Sequence, residues 1–109
     1  MLNWKKIKEE FPQSYGMFVE TMFPYVGVIG TSTLHLFEVK KLYYFFDKYG
    51  IYLTIERIGN SQWLYTISLR NGNVICPRQE TRSTREEIEL DGFFECFRIL
   101  NNQSALCDI

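Results

Sequence analysis

A chain of 109 residues with formal net charge −1, 46% hydrophobic and 17% aromatic residues has the size and apolar content of one folded domain. That balance excludes a disordered chain and argues against strong non-specific binding to nucleic acid or membrane, which needs a surplus of positive charge. Three widely spaced cysteines, Cys76, Cys96 and Cys107, fit neither a disulfide framework nor zinc-ligand spacing. Reduced thiols and a cytoplasmic location are therefore expected, with no metal or other cofactor.

The opening Met1-Leu2-Asn3-Trp4-Lys5-Lys6 lacks the apolar run of a signal peptide, and no stretch reaches transmembrane length, so no membrane contact is expected. Asn3 is placed to cap a helix from Trp4 to Phe11, with Leu2 and Ile7 at the two positions of a hydrophobic staple. Pro12 ends that helix. Tyr15, Phe18, Val19, Met22 and Phe23 then follow the spacing of an amphipathic helix, which Pro24 should stop. Tyr25 to Thr33 reads as a connector. A third helix is expected from about Phe37 to Tyr49, starting as early as Ser32, with Val39, Leu42, Tyr43, Phe45 and Phe46 as its apolar set. Gly50 should follow it in the left-handed conformation.

Ile51 to Leu69 is the organising stretch, two strands joined by the turn-rich Gly59-Asn60-Ser61-Gln62. Alternation puts Ile51, Leu53 and Ile55 on one face with Trp63, Tyr65, Ile67 and Leu69, and leaves Tyr52, Thr54, Glu56, Thr66, Ser68 and Arg70 on a wet face. Asn71-Gly72 signals a type I′ turn into a third strand from Asn73 to Cys76, which Pro77 keeps short or at an edge. After a polar loop, Ser83 with Glu86 and Thr84 with Glu87 form two overlapping capping boxes. The last helix should run from about Thr84 to Asn101, with Ile88, Gly92, Phe93, Cys96, Phe97, Ile99 and Leu100 on its buried face. Gln103 to Ile109 should fray.

The expected fold is α+β, a three-stranded antiparallel sheet with helices packed on one face in the order α-α-α-β-β-β-α. It is one domain, with residues 1–30 a helical addition, 37–101 an α-β-β-β-α core and 102–109 a tail.

Catalysis finds little support. His35, the single histidine, lies between Leu34 and Leu36 with no partner group in sequence, and no cysteine has a basic neighbour that would lower its pKa. Gly27-Val28-Ile29-Gly30-Thr31-Ser32 lacks the lysine of a phosphate loop. Glu86 and Glu87 suit the positive end of the last helix without invoking a metal. Tyr43-Tyr44-Phe45-Phe46 is too apolar for one buried stripe, and Leu90 and Phe94 fall outside the main face of the last helix. Tyr44, Leu90 and Phe94 are thus the candidate interaction residues, with coverage of all these apolar residues by the N-terminal helices as the favoured alternative. Arg78, Arg82 and Arg85 form a second candidate, an anion or nucleic-acid site.

The element order from Val39 to Leu100 resembles the double-stranded-RNA-binding domain, a family that reads A-form RNA through shape, phosphates and 2′-hydroxyls. Its final helix opens with a Lys-Lys-x-x-Lys cluster; Arg85, Glu86 and Glu89 occupy those positions here, one charge kept and two reversed. Gly59-Asn60-Ser61-Gln62 replaces its Gly-Pro-x-His loop. The resemblance implies the topology without the RNA site. Phe45-Phe46-Asp47-Lys48-Tyr49-Gly50-Ile51-Tyr52-Leu53, Trp63, Thr81-Arg82-Ser83-Thr84-Arg85-Glu86-Glu87 and Phe93-Phe94-Glu95-Cys96-Phe97-Arg98-Ile99-Leu100 together resemble small uncharacterised proteins of phages and prophages in gut bacteria. That resemblance implies an accessory protein and supplies no site residues. The leading expectation is a non-enzymatic protein that binds a protein partner or associates with itself; nucleic-acid binding through the arginines and the open sheet face is the alternative.

Overall fold

A computed structural model of the chain describes residues 2–26, 35–59, 62–75 and 83–107. The first helix, α1 (Trp4–Glu10), is set by its cap: the Lys6 N–H donates to Asn3 Oδ1 at 3.1 Å. Leu2 and Ile7 are both buried, as a staple requires. The Phe11 carbonyl already accepts the Tyr15 N–H at 3.0 Å, so α2 (Pro12–Val26) begins without a linker. Pro12 fits the first helical position, where an N–H has no helical partner. The next two N–H groups, of Gln13 and Ser14, donate to Asn101 Oδ1 at 2.9 and 3.1 Å. A side chain near the other end of the sequence thus supplies the cap that Phe11 cannot. Ser14 is fully buried, and its hydroxyl donates to the Phe97 carbonyl at 2.8 Å. Pro24 does not stop α2, which continues to Val26. So close to a helix end, proline removes one hydrogen bond and leaves little helix to disrupt.

Helix α3 (His35–Lys48) delivers the chain to the sheet through Gly50, at φ 73. A Cβ there would stand 2.9 Å from that of Arg70. Arg70 also closes the corner, its N–H donating to the Gly50 carbonyl at 2.9 Å and its Nη2 to the Lys48 carbonyl at 3.3 Å. Strands β1 (Ile51–Ile58) and β2 (Gln62–Leu69) pair antiparallel with Ile51 opposite Leu69, Leu53 opposite Ile67 and Ile55 opposite Tyr65. These pairs share the packed face, as the alternation requires.

The sheet is in substance this two-stranded ribbon. The expected short third strand from Asn73 to Cys76 is reduced to β3 (Val74–Ile75), two residues beside Ser68 and Ile67, and Cys76 lies outside the described residues. The turn before β3 also differs from type I′, which needs positive φ at two residues. Only Gly72 has it, at φ 92. The Gly72 N–H donates to the Leu69 carbonyl at 2.9 Å and the Leu69 N–H to the Asn73 carbonyl at 2.8 Å. This is a three-residue loop, Arg70-Asn71-Gly72, with the glycine at the left-handed position. The extra residue frees Asn71 from an unfavourable φ, and its Oδ1 accepts the Asn73 N–H at 2.9 Å.

Helix α4 (Arg85–Cys107) starts at one of the two expected capping boxes: the Glu87 N–H donates to Thr84 Oγ1 at 3.2 Å and the Thr84 hydroxyl to Glu87 at 3.0 Å. Ser83 donates to Glu87 rather than Glu86. The helix runs on to Cys107 instead of ending near Asn101 and fraying from Gln103, because Asn102 to Cys107 contain no glycine or proline and Asn101 is tied to α2. Its sheet-facing side is cut back at Gly92, where a Cβ would meet Leu53 at 2.6 Å and the Tyr65 ring at 3.3 Å. Phe45, Phe46, Phe93 and Phe97 are the largest fully buried side chains. Phe46 meets Phe97 edge-on at 4.9 Å, and Phe18 brings α2 to Phe45 at 5.2 Å. Trp4 stacks on Phe18 at 5.1 Å and so fastens α1 to the same aromatic cluster.

Candidate functional site

The helical spacing that buries Leu42, Phe45 and Phe46 turns Tyr44 outward. Tyr44 is 66% exposed, the most exposed large hydrophobic side chain among the described residues. At roughly 100° per residue, Lys40, Lys41, Asp47 and Lys48 lie within about 60° of it around the helix. Lys40, Asp47 and Lys48 are exposed and Lys41 is half-buried. The outer face of α3 is therefore a tyrosine bordered by lysines on the turns before and after it. Sequence reading singled out Tyr44 but missed the lysines, whose signal was their spacing at i−4, i−3 and i+4.

Leu90 and Phe94 sit elsewhere and are half-buried against the core cluster. The Phe11 ring meets Phe94 edge-on at 5.0 Å, and Lys6 Nζ lies 5.0 Å from the centre of the Phe94 ring. The N-terminal helical pair thus supplies a ring and a cation to this surface.

Of the three arginines, Arg78 and Arg82 lie outside the described residues, as do Gly27 to Ser32. Arg85 stands over Trp63, its guanidinium 6.0 Å from the ring centre. Beside it the Tyr43 hydroxyl donates to Glu89 Oε2 at 2.6 Å. Burial, and then the Glu89 carboxylate, hold the Tyr43 phenol well above its ordinary range. Tyr65 is pushed up to about 12 by burial and the carboxylates of Glu95 and Asp91. Burial also pushes the Cys96 thiol well up, which disfavours the thiolate a nucleophile needs. Among the described residues no group of three His, Cys, Asp or Glu side chains is placed to hold a metal ion, and no helix is long and apolar enough to cross a membrane.

The face of the sheet away from α4 carries Tyr52, Thr54, Glu56 and Ile58 on β1 with Leu64, Thr66 and Ser68 opposite. Tyr52, Ile58 and, on β3, Val74 are its exposed apolar side chains. Two strands of eight residues span about 26 Å by 10 Å. Comparison with family models, with curated proteins and with solved structures found no match.

Proposed function

We propose that this chain is a small non-enzymatic accessory protein that works by binding another protein, with Tyr44 on α3 at the centre of the contact. The exposure of Tyr44 carries the reading: it is 66% exposed while Phe45 and Phe46 beside it are 0% and 1% exposed. Tyrosine combines a large rigid ring with a polar tip, which is why it recurs at the energetic centres of interfaces. The packing of Phe94 against Phe11 supports a role for Leu90 and Phe94 in holding the N-terminal pair, which leaves Tyr44 as the surplus apolar group of the three.

The order of α3, the hairpin, the short β3 and α4 supports a core like that of the double-stranded-RNA-binding domain. Glu86 and Glu89 at two positions of that family's basic cluster support the absence of duplex-RNA affinity. The likeness to small phage and prophage proteins supports a role as an accessory of a mobile element. The test is affinity capture from a native lysate, with and without nuclease, using wild type and Tyr44→Ala. A stoichiometric protein that survives nuclease and is lost from Tyr44→Ala is the expected result. Recovery that collapses with nuclease, or is unchanged in Tyr44→Ala, would overturn it.

A further inference from the structure

We propose that Asn71 is a site of spontaneous covalent modification in the folded chain, losing its side-chain nitrogen as ammonia to attack by the Gly72 amide and ageing to isoaspartate and aspartate. The proposal is independent of the Tyr44 reading. Ring closure needs a backbone nitrogen that can approach the side-chain carbon, and a following residue without a Cβ hinders it least. Asn71 is the only asparagine of the chain followed by glycine. Asn71, Gly72 and Asn73 are all exposed. Among the described residues nothing beyond the chain neighbours of Gly72 lies within 4 Å of where a Cβ on it would stand. The Asn73 N–H, donating to Asn71 Oδ1 at 2.9 Å, turns the side chain forward along the chain past Gly72 and polarises the carbonyl that is attacked. The same donor is in place when that oxygen becomes an oxyanion. Other asparagines are set differently. Asn3 and Asn73 precede Trp4 and Val74, whose side chains crowd the nitrogen, and Asn101 and Asn102 lie inside α4, where the following N–H is engaged in the helix.

In the reaction, hydroxide takes the Gly72 amide proton and the nitrogen bonds to Asn71 Cγ. The Cγ–Nδ2 bond then breaks, and Nδ2 leaves as ammonia after taking a proton from water. The resulting succinimide adds water at either of its carbonyls. Opening at Cγ leaves aspartate. Opening at the main-chain carbonyl leaves isoaspartate, with the chain routed through the side-chain methylene. The fold opposes the first step, because the Gly72 N–H donates to the Leu69 carbonyl at 2.9 Å and must be released. A single exposed bond of this kind slows the step by about tenfold or less. The added methylene falls inside the loop closed by that bond and by the Leu69 N–H on the Asn73 carbonyl, so the modified chain holds the two residues of β3 less firmly.

The test is to incubate the full chain at mildly alkaline pH, native and in concentrated urea, and to follow peptide masses together with labelling by an isoaspartate-specific methyltransferase. The expected result is an amide-to-acid mass change in the peptide that holds Asn71, with isoaspartate as the main product. Its rate rises with pH, since the attacking group is the deprotonated amide. The native rate stays within about tenfold of the rate in urea. Asn71→Gln, which would have to close a larger ring, ages at least about tenfold more slowly at this peptide. Conversion confined to the urea-unfolded chain would overturn the proposal. So would faster conversion at another asparagine of the native chain, or an Asn71→Gln variant that ages at the wild-type rate.

Discussion

Gly50 and Asn101 decide how the chain turns at two places. At Gly50 the backbone has φ 73, and the space a Cβ would take is held by Arg70. Gly50→Ala should cost about 1–2 kcal/mol, from the left-handed strain and from displacing Arg70. Chemical denaturation would show it as a lower midpoint at unchanged slope. Asn101→Ala should also cost about 1–2 kcal/mol, since it strips the cap from the Gln13 and Ser14 N–H groups. Faster amide exchange at the start of α2 would locate the loss; exchange unchanged there would contradict the capping role. The two residues were not equally legible. Gly50 announces itself locally, at the end of a helical stripe and the start of an alternating one. Asn101 serves a helix 87 residues away, and nothing near it in sequence states that purpose.

Among the elements, the packed faces of α3, α4 and the hairpin followed directly from periodicity, because side-chain spacing fixes which residues turn inward. The departures have separate causes. Pro24 removes one hydrogen bond near the end of α2, which runs only two residues further, to Val26. One extra residue in the loop spares Asn71 a positive φ, so Asn71-Gly72 does not close a two-residue turn. Tyr43, which joins α3 to α4, and Tyr65, which faces Gly92 of α4 from β2, also set how stability responds to alkali. Tyr43 and Tyr65 both have raised pKa values, so the folded state prefers the neutral phenol. The unfolded chain releases these protons first, near the ordinary value of 10. Their stabilisation is therefore complete below pH 10 and is lost as pH rises from there towards about 12 and beyond. Cys96 acts in the same direction from about pH 9, its ordinary value. Urea midpoints across this range should fall less steeply in Tyr65→Phe than in wild type. An identical slope in the two would contradict the assignment.

For the whole molecule, the question is which apolar side chains the fold consumes and which it leaves over. Tyr44, Leu90 and Phe94 look alike in sequence, since all three fall beside the main stripe of a helix. Only the three-dimensional arrangement separates them. Phe11, more than eighty residues earlier in the chain, reaches Phe94, whereas the stripe around Tyr44 carries exposed Lys40, Asp47 and Lys48. Replacing Leu90 and Phe94 together by Glu should accordingly unfold the protein, because two buried or half-buried carboxylates would face Phe11 and the aromatic cluster. The most direct measurement sets Tyr44→Ala beside Phe94→Ala in thermal unfolding, with partner capture read on the same preparations. Tyr44→Ala should unfold within about 0.5 kcal/mol of wild type and lose capture. Phe94→Ala should lose about 2 kcal/mol, a drop in midpoint of about 10 °C, and keep capture below that temperature. The opposite pattern, a stable Phe94→Ala that no longer binds and a destabilised Tyr44→Ala that still does, would contradict the account.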